Sequence, residues 1–184
     1  MPIMQFLELL PSDLPAAVAV VLHRHPFHET HLPQVLGRRA GLTVMEPLDG
    51  DPIQRGVVYV APRDEHLLIQ DGVLRRDRGP KQHRTRPAID PLFVSAAASH
   101  GRRVVGVLFS GMGSDGVTGF LTIKAAGGIT LVQAPQEAQF PTMPMRALHE
   151  DDVDGALPVP ELARAVAVLA NGVTVAEAIG TAPA

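Results

Sequence analysis

Residues 104–126 read VVGVLFSGMGSDGVTGFLTIKAA, and this stretch decides the fold. Val104 to Phe109 is a continuous apolar run, the pattern of a strand buried on both faces, and Val117 to Ala126 is helix-like. Between them lies the glycine-rich turn Gly111-Met112-Gly113-Ser114-Asp115-Gly116. A turn of this kind between a parallel strand and a helix gathers backbone N–H groups at the carboxyl edge of a sheet, where open α/β sheets bind their ligands. The turn also matches the dinucleotide pattern G-x-G-x-x-G, but three features count against that function. It falls past the middle of the chain, Asp115 puts a carboxylate where a pyrophosphate needs positive potential, and Glu137 sits in a loop-like stretch rather than at a strand end. Asp115 is also expected to cap the helix that follows, a role worth about 1 kcal/mol.

Working outward, helical and strand patterns alternate. Ile3, Phe6, Leu7 and Leu10 have helical spacing closed by Pro11, and Ala17–Leu22 is a short apolar run that reads as a buried strand. Residues 30–40 read as a helix and 42–45 as a strand. Residues 56–61 and 66–70 are further strands, and Asp71-Gly72 turns the second back into a small antiparallel hairpin. A helix is expected at 90–100, a strand at 129–133, a short helix with Pro144 in its first turn ending near His149, and an amphipathic helix at 160–170. The sum is an α/β fold: a doubly wound, mostly parallel sheet with helices on both faces and a small antiparallel hairpin. One domain spans residues 1–170, and residues 171–184 form a tail that frays or covers a neighbour.

Composition bounds the function. The 184 residues carry 46% hydrophobic and 19% charged side chains, as soluble globular domains do, with a net charge of −3 that disfavours a dedicated nucleic-acid binder. There is no cysteine, hence no disulfide, thiolate metal site or cysteine nucleophile. No apolar run reaches the roughly 18 residues that span a bilayer, and the N-terminal stretch lacks a signal peptide's basic start, so a cytoplasmic protein is expected. Residues 75–87, RRDRGPKQHRTRP, read either as a solvated loop or as a docking surface for an acidic partner.

His23 ends the run 17–22 and should stand at the same carboxyl edge as the glycine-rich turn. A histidine and a carboxylate converging there make two-thirds of a nucleophile–His–acid arrangement, with Asp115 orienting the imidazole and turn amides facing an oxyanion. His23 as a simple strand-end histidine is equally compatible with the spacing. The cluster His23, His25, His28 and His31 invites a metal, but His28 and His31 are not four apart and Pro26 breaks any helix before them. His66, His83, His100 and His149 read as surface or edge residues.

The segments SGMGSDGVTGF, IKAAGGITLVQ and PTMPMRAL resemble the catalytic domain of CheB-type chemotaxis methylesterases, as do VVLHRHP, VYVAPRDEHLLIQDG and RPAIDPLFVSAA. The resemblance runs in order from Met1 to about Leu169. It implies a doubly wound α/β fold, no cofactor, and hydrolysis of methyl esters on receptor glutamates, with possible deamidation of receptor glutamines. It implies further that His23 is the catalytic histidine, Asp115 its orienting acid, and Met112 the residue whose amide contributes to the oxyanion hole. The partner so implied is a methylated chemoreceptor or similar signalling protein, while the oligomeric state stays open. The family's nucleophile is a serine in a G-x-S-x-G-G segment preceding a helix like that at Ile3–Leu10. That segment is not among these residues, and Ser12, Ser95, Ser99, Ser110 and Ser114 are not persuasive substitutes. A native polypeptide starting upstream with a central strand and that serine is therefore expected. The alternatives are a catalytically inactive receptor-binding module and a metal hydrolase built on the histidines.

Overall fold

The spacing of Ile3, Phe6 and Leu7 makes the helix it predicts. In the computed structural model, which describes residues 1–23 and 31–180, α1 runs Pro2–Leu9 with those three side chains buried. Pro2 stands in its first turn, where an amide would have no helical partner, and Leu10 is already extended ahead of Pro11. There follow β1 (Val18–Val20), α2 (Leu32–Gly37), β2 (Thr43–Met45), β3 (Val57–Val60), β4 (His66–Gln70) and β5 (Val73–Asp77). The second half contains α3 (Ile89–His100), β6 (Val105–Leu108), α4 (Val117–Ala125), β7 (Ile129–Gln133), α5 (Thr142–Glu150), β8 (Gly155–Leu157), α6 (Val159–Ala170) and α7 (Val175–Ile179).

The parallel strands fall into two ladders, ordered β2-β3-β1 and β6-β7-β8, and β4-β5 is the expected antiparallel hairpin. Asp71 and Gly72 both have positive φ, as a two-residue hairpin turn of this hand requires. Alternation along the strands shows that both sheet faces are covered. Val58 and Val60 of β3 and Leu131 of β7 pack with α1 and α6, through Phe6, Leu7, Leu162 and Ala165. Their neighbours turn the other way: Val132 packs with Ile89, Phe120, Met143 and Ala147, and Tyr59 with Leu67, Leu74 and Leu92. That is the doubly wound arrangement read from the sequence.

Several elements differ in extent. The apolar run 17–22 forms only three residues of ladder, and α2 occupies six residues of the predicted helix, Thr30 lying outside the described residues. β8 has no sequence signature beyond a short apolar stretch. Within the expected tail, residues 175–179 form α7, whose Thr174 and Glu177 make a reciprocal cap and whose Ala178 is buried. Among the described residues, β1 pairs on one side with β3 and β6 on one side with β7, and neither has a partner on its other edge.

Candidate active site

The turn after β6 is held from two directions. The Ser110 amide donates to Gln133 Oε1 at 2.8 Å, and Ser110 Oγ accepts the Phe140 amide at 2.9 Å. Gly111 donates to the Phe140 carbonyl at 2.9 Å and accepts from the Met143 amide at 3.1 Å. A side chain on Gly111 would press on the terminal methyl of Met143, which would have to shift. Gly113 (φ 92°) and Gly116 (φ 96°) take the left-handed conformations that reverse the chain. The result leaves Met112 70% exposed, and the amides of Met112, Gly113, Ser114 and Asp115 donate to no protein group among the described residues. Successive free amides in a turn make a concavity suited to negative charge.

Asp115 points inward and is only 2% exposed. Its Oδ2 accepts the Ile89 amide at 2.7 Å and its Oδ1 the Asp90 amide at 3.0 Å, so it caps α3. Asp90 returns the favour: its Oδ1 accepts the amides of Gly116 at 3.0 Å and Gly119 at 2.7 Å, capping α4. Two carboxylates thus brace each other's helices at their N-termini, where the helix dipoles favour negative charge. The helices can approach this closely because Gly119 has no side chain to overlap Phe93, whose ring stacks on Phe120 at 5.6 Å.

His23 closes the site. Its Nε2 lies 2.7 Å from Asp115 Oδ2, across 92 residues of sequence. An ionised carboxylate can only accept, so Nε2 carries the hydrogen and Nδ1 is left as the basic nitrogen. Burial pushes the Asp115 carboxyl up, but the hydrogen bonds from His23, Ile89 and Asp90 outweigh it and hold the group below the ordinary aspartate range. The imidazole side chain is 38% exposed, so the dyad has a dry carboxylate and an accessible base.

His23 and Asp115 therefore meet as the sequence suggested, with the Met112 turn beside them. Asp115 does not cap the helix that follows it; it caps α3, and the capping of α4 falls to Asp90. Of the histidines read as surface or edge residues, His66 is buried, and His83 is exposed as expected but joined to the acids of the site. His66 is 1% exposed, with Nδ1 accepting the Ala88 amide and Nε2 on the Pro80 carbonyl, while His83 Nε2 lies 2.7 Å from Asp90 Oδ2. His25 and His28 lie outside the described residues. Among the described residues, His83, Asp90 and Asp115 are close enough to share an ion, but the carboxylate oxygens there already serve amides and imidazoles. Ser110 is engaged with Phe140, and Ser95 and Ser99 tie α3 to β4 through Ile69. Asp90 and His83 were missed because an acid in a helix's first turn reads as serving its own helix. Nothing local says that it serves another.

The basic stretch is more built than a solvated loop. Arg76 and Arg78 both pair with the buried Glu65, and Arg86 with Asp64 and the carbonyls of Arg78 and Gly79. Lys81 and Arg84 remain exposed and, among the described residues, without an ionic partner.

Comparison with known proteins finds similar chains. Residues 2–166 match the CheB methylesterase family. The chain is 41% identical over 157 residues, 85% of its length, to protein-glutamate methylesterase/protein-glutamine glutaminase 2 of Anaeromyxobacter dehalogenans, covering 46% of that protein. It is 35% identical over 170 residues to the Pyrococcus horikoshii protein-glutamate methylesterase/protein-glutamine glutaminase, covering 88% of this chain and 46% of that one. The chain thus spans a little under half the length of these relatives. The crystal structure of the Thermotoga maritima CheB methylesterase catalytic domain superposes with a TM-score of 0.86 at 30% identity, covering 91% of each chain.

Proposed function

The chain belongs to the CheB methylesterase family, and from that premise we propose that its domain, residues 1–170, serves to hydrolyse methyl esters of glutamate side chains on a signalling receptor, and to deamidate glutamines there. The observation that carries this reading is the His23–Asp115 bond of 2.7 Å beside a turn whose Met112 amide has no protein acceptor among the described residues. In the proposed reaction a serine hydroxyl attacks the ester carbonyl while His23 Nδ1 takes its proton. Negative charge develops on the carbonyl oxygen, where the Met112 N–H donates to it. His23 then returns the proton to the departing methanol, and a water activated by the same nitrogen releases the carboxylate and regenerates the serine. Asp115 keeps Nε2 protonated throughout, which fixes the tautomer and stabilises the imidazolium.

The serine is proposed to come from a strand pairing with the open edges of β1 and β6. Both are parallel strands with one edge unpaired among the described residues, and the segments leaving their carboxyl ends meet at the His23–Asp115 bond. Val18, Val105 and Val107 are only half-buried there. A parallel strand between them would join the two ladders into one sheet and end beside His23. A central strand is where a doubly wound fold delivers residues to its ligand edge. The proposed substrate is a methylated, cytoplasmic receptor surface, and no helix among the described residues is long and apolar enough to cross a membrane.

The test is methanol release from receptor-bearing membranes carrying labelled methyl esters, using the complete native polypeptide. Labelled methanol is the expected product, and a fluorophosphonate should label a serine outside residues 1–184. Receptor binding without methanol would sink the enzyme reading in favour of a binding module; labelling of Ser12, Ser95, Ser99, Ser110 or Ser114 would sink the inserted strand. A finer prediction concerns Lys81 and Arg84. The double substitution Lys81→Ser, Arg84→Asn is expected to raise KM for methylated receptor several-fold, more so at low salt, because exposed charges steer encounter. Turnover of a small methyl ester should not change. Equal losses on both substrates would remove the docking role.

A further inference from the structure

The segment before α3 contains backbone that its residue types disfavour. Gln82 and Thr85 form an antiparallel bridge, with reciprocal amide–carbonyl bonds of 3.1 and 2.8 Å, around a two-residue turn. Both central residues are left-handed, His83 at φ 49° and Arg84 at φ 64°. Such a turn is best made by Asn-Gly, and side chains like these sit there at a steric cost. The turn delivers His83 Nε2 to Asp90 Oδ2 at 2.7 Å, and to 4.0 Å from Asp115 Oδ1. Asp90 is the residue whose other oxygen holds the Gly116 and Gly119 amides and whose own amide holds Asp115.

We propose that His83 and Asp90 are positioning residues: His83 fixes Asp90, and Asp90 fixes both the orientation of Asp115 and the end of the oxyanion turn. Neither touches the reacting atoms. A continuous path of hydrogen bonds runs from His83 through Asp90 to Asp115 and then to His23, so the base is aimed by a second imidazole–carboxylate pair. Asp90 uses both oxygens, and removing the His83 donor leaves Oδ2 free to rotate away, taking the two amides with it. Small displacements of this kind cost turnover without touching substrate affinity.

The role can be separated from simple turn stability by reach. Asn favours the left-handed conformation more than His does, but its amide is too short to stand where imidazole Nε2 stands. Gln reaches that position and donates, though it gains nothing in the turn. A structural role alone therefore ranks His83→Asn at or above the wild type and His83→Gln at or below it. A positioning role inverts the order. In His83→Asn we expect relief of the turn to offset the lost contact to Asp90, leaving Tm near the wild type, while kcat for a methyl ester falls about 10- to 100-fold with KM unchanged. His83→Gln should hold kcat within about threefold of the wild type, as a shared donor position implies.

The turnover arm rests on the esterase reading. Hydrogen exchange at the Gly116 and Gly119 amides does not, because those amides bond Asp90 whatever the protein does. Exchange there should quicken in His83→Asn and stay slow in His83→Gln. Unchanged exchange and turnover in His83→Asn, or losses that follow Tm across both variants, would overturn the proposal. A wild-type protein that releases no methanol would remove the esterase reading, and the exchange rates would still decide the brace.

Discussion

Replacing Asp115 with Asn is expected to lower ester hydrolysis by about 10⁴-fold, the scale seen when the acid of a Ser-His-acid triad loses its charge. It should also destabilise the fold by about 1–3 kcal/mol, the range for a buried polar group left unsatisfied. Both effects follow from the same crowding. Oδ2 of Asp115 accepts from His23 and Ile89, and Oδ1 accepts from Asp90. An asparagine must put its NH₂ in one of those places. Toward Asp90 it meets an amide donor; toward Ile89 and His23 it meets an amide donor and forces the imidazole into the other tautomer, with Nδ1 protonated and unable to act as base. No rotamer avoids a donor facing a donor.

The pH dependence has a definite sign. Because the folded-state carboxyl sits below the ordinary aspartate range, Asp115 contributes stability that is fully present above about pH 4 and is lost as pH falls through its folded value. The stability gap between wild type and Asp115→Asn should thus be widest near neutral pH and narrow on acidification. Denaturant unfolding at several pH values checks this. A constant gap would mean that the Asp115 charge is not what the helix termini hold.

How much of this was legible in the sequence depends on whether the signal was local. The turn 111–116 announced itself because glycine spacing, flanking apolar run and following helix are all properties of neighbours. The alternation of strands and helices followed from periodicity in the same way, and β4 and β7 have the residues read for them. The brace between Asp90 and Asp115 was hidden because it spans 25 residues and exchanges caps between helices, so each acid looked sufficient for its own. His83 was hidden twice over: it lies in a polar stretch that reads as loop, and its turn lacks the Asn-Gly signature. The division of the parallel strands is a different case. Residues 17–22 and 104–109 read as buried strands because they are continuous apolar runs, but nothing in a strand's own sequence states how many partners it has. The pairing, and with it the open edges of β1 and β6, exists only in three dimensions.

His23 offers the cleaner test of chemistry, because it carries little of the fold. The substitution His23→Gln leaves an amide group that can donate to Asp115 in place of Nε2, so the carboxylate stays satisfied and α3 stays capped. Its expected stability change is within about 0.5 kcal/mol, as for other substitutions at exposed positions. Hydrolysis, by contrast, should fall by about 10⁴- to 10⁶-fold, since no base remains to take the nucleophile's proton and the turn amides alone supply only the residual rate. The pairing of variants adds a sharper constraint. If His23 and Asp115 act as one unit, His23→Gln and the His23→Gln, Asp115→Asn double variant should hydrolyse a methyl ester equally slowly, because an acid with no imidazole to orient contributes nothing further. The stability penalty of Asp115→Asn, which arises at Ile89 and Asp90, should persist in the double variant almost undiminished. Rates measured by methanol release and stabilities by denaturant unfolding would thus separate: strongly non-additive in activity, nearly additive in folding. A His23→Gln protein that kept a tenth of the wild-type rate would mean that the ester is broken somewhere else.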